Sequence, residues 1–134
     1  MGIIGGNYSE KPFALVHTAD IAEVAIEELL NLDFTGHSVR YIAGDEKTGF
    51  EIAKILGNAI GQPDLPWIVF TDEQSLQGML QAGLPEEVAK NYTEMGAAMA
   101  SGEMNADYFN NRPVTLGKIK LEDFAKEFAA AFHA

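Results

Sequence analysis

The chain contains no cysteine, which excludes several kinds of chemistry at once. Its 134 residues can form no disulfide, no thiolate nucleophile and no cysteine-based zinc site. The absence fits a reducing compartment, and we therefore expect a cytoplasmic protein. The three histidines, His17, His37 and His133, do not have the spacing of metal ligands, so no metal site is predicted.

Basic residues and long apolar runs are also scarce. Nine lysines and arginines stand against twenty aspartates and glutamates, which gives a formal net charge of -11. Such a charge repels nucleic acids and anionic membranes, so we expect neither as a partner. The sequence has no run of about 18 apolar residues, and we expect neither a membrane span nor a secretory signal. We interpret residues 1–134 as one acidic α/β domain with a real core.

The glycines of residues 1–7, MGIIGGN, do not form a dinucleotide-binding fingerprint. That fingerprint needs a preceding strand, G-x-G-x-x-G spacing and a helix whose N-terminus faces the pyrophosphate. Here the spacing differs, and Lys11-Pro12 follows where a helix would have to begin. These residues therefore predict a short edge strand and a turn.

Residues 13–30 predict a strand, a tight turn and a helix, and the other segments are placed relative to them. Phe13–Val16 is a short apolar run, typical of a strand covered on both faces. Asp20 is predicted to cap the following helix, with Glu23 bonding back to it. We expect the apolar stripe of this helix to be buried; it consists of Ile21, Ala22, Ala25, Ile26, Leu29 and Leu30.

A second strand and a second helix are predicted to follow. Ser38–Ala43 alternates as a strand does, and Gly44–Lys47 is expected to form a polar turn. Thr48 then opens a capping box with Glu51, and the helix is predicted to end at Gly61.

The remaining chain predicts one more strand and three more helices. Pro66–Phe70 is the strand, and a helix capped by Thr71 or Asp72 runs from about Glu73 to Ala82. A long helix then extends from about Pro85 to Gly102, and the last helix presents an apolar stripe to the core. That stripe is Leu121, Phe124, Ala125, Phe128, Ala129 and Phe132.

Six side chains are candidates for a substrate pocket. His17 follows the first long apolar strand, where ligand contacts cluster in α/β folds. A lone histidine without a partner is also typical of a residue that only satisfies the backbone. The other five are aromatic or thioether side chains that suit an apolar ligand wall and an ordinary core alike: Trp67, Phe70, Tyr92, Met95 and Met99. No catalytic or cofactor-binding residue is predicted.

The order of the segments resembles the C-terminal part of NmrA-like proteins, atypical members of the extended short-chain dehydrogenase/reductase superfamily. The resemblance runs from Ile3 to Phe132. Its most specific parts are the strand before Asp20-Ile21-Ala22 and the strand Tyr41–Gly44 before the helix of residues 48–61. It implies the C-terminal part of a Rossmann-type α/β fold, with few short strands and about five helices. It also implies a parent that is either an NAD(P)-dependent oxidoreductase of a quinone-like or carbonyl compound, or a nucleotide-binding redox sensor.

The N-terminal half of that family, which carries the dinucleotide fingerprint, has no counterpart in this chain. The superfamily's Tyr-x-x-x-Lys pair is absent as well, since Lys11 comes three places after Tyr8 and Arg112 four places after Tyr108. By resemblance we expect a substrate-side or lid portion that is inactive alone, with NAD(P) bound by a longer parent. Uncovered apolar edges would then favour self-association. The alternative is an independent small α/β module that binds a ligand or a protein without a cofactor.

Overall fold

The computed structural model describes residues 3–8 and 10–134. These ranges hold four three-residue strands and six helices. The strands are β1 (Ile4–Gly6), β2 (Phe13–Leu15), β3 (Asp45–Lys47) and β4 (Trp67–Val69). The helices are α1 (Thr18–Asn31), α2 (Gly49–Ala59), α3 (Asp72–Gln81), α4 (Glu86–Ser101), α5 (Ala106–Asn110) and α6 (Leu121–Phe132).

The strands form two separate pairs. β1 and β4 are parallel, with Ile4 opposite Trp67, while β2 and β3 are antiparallel, with Leu15 opposite Asp45. The prediction of a short strand near the start of the chain is confirmed at β1, apart from Met1 and Gly2, which lie outside the described residues. The strands predicted at 13–16 and 66–70 are confirmed as β2 and β4.

Helix α2 is the centre of the packed core. It contacts α6 on one side and strands β1, β3 and β4 on the other. The Thr48 hydroxyl accepts a hydrogen bond from the Glu51 amide, and the Glu51 carboxylate accepts one from the Thr48 amide, which is the capping box that the sequence predicts. The buried apolar residues of the described chain are Phe13, Ala43, Ala53, Leu56, Ile60, Trp67, Ala89, Tyr108 and Ala125.

Gly49 allows α2 to begin directly against the only tryptophan. A methyl group on Gly49 would lie 2.5 Å from the Trp67 ring, well inside van der Waals contact. The indole N–H of Trp67 in turn donates to the Tyr8 carbonyl at 2.8 Å. A side chain at position 49 would therefore separate α2 from β4.

The prediction of a strand at Ser38–Ala43 and a turn at Gly44–Lys47 is wrong. It is the supposed turn that forms β3, because its backbone pairs with β2. Residues 38–42 take part in no backbone hydrogen bond within the described parts of the chain, and Val39 is 79% exposed. Alternation alone does not make a strand where no second strand is available to pair with it.

The prediction that α1 buries its apolar stripe is also wrong. Ile21, Ile26, Leu29 and Leu30 are all exposed, and the buried residue of this helix is Asp20. No other element described here packs along the apolar face.

The two C-terminal long helices bury small residues in place of large ones. In α4, Ala89 and Gly96 are buried, while Val88 and Tyr92 are exposed. In α6, Ala125 is the buried member of the predicted stripe. Helix α5, in a segment without clear periodicity, was not predicted. No described helix is long and apolar enough to cross a membrane.

Candidate functional site

A half-open cleft lies where the end of β2 meets the start of α6. Its volume is about 270 Å³, and we call it the α6 cleft. Most of its lining is apolar, with four polar side chains among the walls: His17, Thr18, Asp45 and Lys120. The lining residues are Leu15, Val16, His17, Thr18, Asp45, Ile119, Lys120, Leu121 and Phe124.

His17 is held in the cleft by its role at the start of α1. It is the N-cap of that helix, and its Nδ1 atom accepts a hydrogen bond from the Ala19 amide at 3.1 Å. In the neutral ring the proton is therefore on Nε2, which is a donor. Nε2 lies 3.6 Å from the carboxylate of Glu127, which is mostly exposed. The Phe124 ring stands on the other side, with centroids 6.4 Å apart.

The two charged side chains of the lining are engaged by the protein's own backbone. The Lys120 ammonium group donates to the carbonyl oxygens of Gly44 at 2.7 Å and Gly117 at 2.9 Å. Asp45 accepts from the Leu121 amide at 3.2 Å and forms an ion pair with Lys47 at 3.3 Å. These bonds join β3 to the start of α6 and fix the floor of the cleft.

Asp20 holds the wall of the cleft and does not cap a helix, so its predicted role is wrong. The cap position is taken by His17, three residues earlier. The Asp20 carboxylate accepts the amides of Lys118 at 3.3 Å and Ile119 at 3.2 Å. Gly117 permits this approach, since a methyl group there would lie 2.4 Å from the carboxylate. Asp20 therefore ties α1 to the loop that carries Ile119 into the cleft.

Of the six predicted pocket residues, only His17 lines the α6 cleft. Trp67 is buried in the core, and Phe70 packs beside Gly5 at the end of β4. Tyr92 and Met95 are exposed on α4, and Met99 is partly exposed on the same helix. The structure does not bring these six side chains together, and their role as a pocket stays a prediction.

Neither the β1 glycines nor the start of α3 fits the phosphates of a dinucleotide. The space beside the β1 glycines is filled, because a methyl group on Gly5 would lie 2.1 Å from the Ile68 carbonyl. Helix α3 follows parallel strand β4, where a phosphate would bind in a doubly wound fold. That helix begins with Asp72 and Glu73, and Asp72 accepts a hydrogen bond from Asn7 at 2.7 Å. Negative charge and an existing partner both oppose a phosphate there.

A second polar cluster lies on the far side of β3. The Tyr108 hydroxyl donates to Glu46 at 2.6 Å, and Arg112 donates to the same carboxylate. Burial raises the pKa of Tyr108 to about 12, and the bond to Glu46 adds to the rise. Because Tyr108 and Arg112 both pair with Glu46, we interpret the cluster as the attachment of α5. Within the described ranges no group of three acidic or histidine side chains could hold a metal ion.

The comparisons with known proteins point to reductases. No family model matches the chain. It is 30% identical over 121 residues to an NAD(P)H azoreductase from Xenophilus azovorans, covering 89% of this chain and 42% of that protein. Its fold is similar to triphenylmethane reductase from Citrobacter sp., solved with NADP(H), with a TM-score of 0.69 and 22% identity over 96% of this chain and 44% of the other. A second structure of that reductase gives a TM-score of 0.71 at 20% identity, over 96% and 45% of the two chains.

These similarities cover most of this chain but only part of the matched proteins. The chain spans less than half the length of each protein it matches. The fold class predicted from the sequence, a Rossmann-type α/β fold with a few short strands, is confirmed. The sequence reasoning found His17 but missed the rest of the cleft, because Asp45 and Phe124 belong to segments that only the folded chain brings together. The chain thus has the fold of part of an NADP(H)-binding reductase.

Proposed function

We propose that this chain is the substrate-side portion of an NAD(P)H-dependent reductase of the NmrA-like, extended short-chain dehydrogenase/reductase type, inactive alone. The observation that carries the proposal is the 30% identity to NAD(P)H azoreductase, which extends over 89% of the chain. The similarity in fold to a reductase solved with NADP(H) supports it independently.

The geometry supports substrate binding by this chain and NAD(P) binding by the rest of such a protein. The α6 cleft offers an apolar site with a histidine donor, whereas the β1 glycines and the start of α3 are filled or acidic. In the proposal, residues outside these 134 bind NAD(P), and residues 1–134 form one substrate-side unit.

The proposed substrate is a small organic acceptor of hydride. The matched proteins are named as reductases of azo and triphenylmethane compounds, and the resemblance to NmrA-like proteins adds quinone-like and carbonyl compounds. All of these carry conjugated systems that suit an apolar wall such as that of Val16, Leu121 and Phe124.

A chimera tests the proposal. The aligned 121 residues of this chain would replace their counterparts in the azoreductase, and NADPH oxidation would be followed with an azo compound. We expect a folded chimera that binds NADPH and reduces the dye. The matched control is the same chimera with Phe124→Ala, which we expect to bind NADPH equally and to have a raised KM for the dye.

Two results would count against the proposal. One is a folded chimera that binds NADPH yet reduces no azo, quinone or triphenylmethane compound. The other is tight, saturable NADPH binding to the chain alone in calorimetry, since the β1 glycines and the start of α3 do not fit its phosphates.

The alternative, a ligand-binding module that needs no cofactor, is favoured by one observation. The α6 cleft lies among residues 15–18, Asp45 and residues 119–124, with a volume of about 270 Å³. A chain that binds its ligand alone, combined with an inactive chimera, would select this alternative.

A further inference from the structure

We infer that the α6 cleft binds an uncharged aromatic molecule of one or two rings that accepts a hydrogen bond from His17. The inference deepens the proposed function, on which it rests in taking this cleft as the substrate-side site. It concerns binding alone and needs no nucleotide.

The size and walls of the cleft indicate an aromatic ring. An apolar cavity of about 150 Å³ is enough to hold benzene. The cleft has about 270 Å³, with Phe124 on one wall and Val16 and Leu121 on others. Phe124 lines the cleft and is 40% exposed, so part of its ring is open to contact with a ligand ring.

The free donor of His17 indicates that the ligand carries a hydrogen-bond acceptor. Nδ1 of His17 accepts from the Ala19 amide, which leaves the proton of the neutral ring on Nε2 of a side chain that lines the cleft. The Glu127 carboxylate lies 3.6 Å from Nε2, beyond ordinary hydrogen-bond length. A hydroxyl, ether or azo acceptor on the ligand would take that proton at normal distance.

The charges around the cleft favour an uncharged ligand over an anion. Lys120 is engaged by two carbonyl oxygens, and Asp45 lies in the same lining. Glu127 places a second negative charge 3.6 Å from Nε2 of His17, and the whole chain carries a net charge of -11. A sulfonate or carboxylate on the ring would therefore meet repulsion without a free cation among the described lining residues.

The test compares two ligands that share one ring system. Binding of 2-naphthol and of naphthalene-2-sulfonate would be measured by calorimetry at neutral pH, and the bound site located from NMR amide shifts. We expect saturable 2-naphthol binding, with shifts at residues 15–18 and 119–124. The sulfonate should bind at least about tenfold more weakly, because it brings a charge into an acidic site.

Two substitutions and a matched control assign the contacts. His17→Asn keeps a side chain that caps α1 well but does not reach the ring, and 2-naphthol should bind about three- to tenfold more weakly. Phe124→Ala should weaken it about tenfold, since a face of the site is lost. Phe132→Ala removes a similarly exposed ring from the same helix, which lines a different cleft, and should leave binding unchanged.

Three outcomes would overturn the inference. They are the absence of saturable 2-naphthol binding to the folded chain, sulfonate binding as tight as that of 2-naphthol, and equal losses in the Phe124→Ala and Phe132→Ala variants. None of them bears on the chimera, where NADPH-dependent turnover is measured, so failure here and failure of the proposed function are distinguishable.

Discussion

Helices α1 and α2 have similar amphipathic patterns, but only α2 buries its apolar face. In α2, Leu56 is 8% exposed, and the helix is covered by α6 and three strands. In α1, Leu29 is 69% exposed, and the apolar stripe has no partner among the described elements. A helical hydrophobic period therefore defines which face of a helix seeks burial, but not whether the chain supplies the surface that buries it.

The comparison is tested most strongly by one substitution made in both helices. Leu56→Ala should lower the free energy of unfolding by about 2–5 kcal/mol, because it removes packed methyl groups and leaves a cavity. Leu29→Ala should change it by less than about 0.5 kcal/mol, since that side chain is already in solvent. Urea unfolding followed by circular dichroism measures both. Equal losses would mean that α1 is packed in solution.

The next test concerns what attaches α1 to the rest of the chain. Asp20→Ala should cost about 1–3 kcal/mol, because the partly buried amides of Lys118 and Ile119 lose their acceptor. Glu27→Ala, on the same helix but exposed and paired with Arg40, is the matched control and should have little effect on unfolding. The Ile119 amide resonance should shift only in the first variant. An unchanged Ile119 resonance would refute the anchoring role.

The start of α2 could be predicted from the sequence, whereas the attachment of α1 could not. The α2 cap was predictable because Thr48 and Glu51 are three residues apart and the motif is local. The role of Asp20 was not, because its partner Lys118 lies 98 residues away along the chain. A carboxylate near a helix start satisfies the local rule for a cap whether or not a distant amide competes for it.

The same distinction between local and distant information explains the strands and the cleft. Ser38–Ala43 alternates correctly but has no partner, whereas the polar segment Asp45–Lys47 pairs with β2. Phe124 was predicted to face the core, and in the structure it faces the cleft opened by the end of β2. Pairing and juxtaposition depend on elements far apart in sequence, which periodicity does not encode.

If the open face of α1 lacks its partner in the isolated chain, we expect the chain to self-associate. The exposed side chains of Ile26 and Leu30, together with the unpaired segment of residues 38–42, would meet their counterparts on a second copy. Leu30→Lys should weaken association about tenfold, or ~1.4 kcal/mol. Light scattering over a concentration series measures it.

A control separates the α1 face from general charge effects. Met104→Lys makes the same change in charge at an exposed site outside α1, so it should leave the average mass unchanged. A wild-type chain that stays monomeric and well folded at high concentration would exclude self-association through this face.

The smallest expected effect is a pH dependence of stability that comes from the capping box at the start of α2. Helix α1 begins at His17 without such a box. Hydrogen bonds from the Thr48 amide and then its hydroxyl lower the pKa of Glu51 below its ordinary value of 4.5. A carboxylate with a lowered pKa in the folded state adds stability above pH 4.5, and this is lost as the pH falls through the folded value. Because Glu51 is well exposed, we expect only a few tenths of a kcal/mol.

Glu51→Gln isolates this contribution, since the amide oxygen still accepts the Thr48 amide but does not titrate in this range. The variant should lose less stability than the wild type between about pH 5 and pH 3, measured as the shift of the urea midpoint. Thr48→Ala, which removes the cap itself, should cost ~1 kcal/mol near neutral pH. An identical acid slope in wild type and Glu51→Gln would mean that the capping box contributes nothing to the pH dependence. The contrast between α1 and α2 would then rest on buried apolar surface alone.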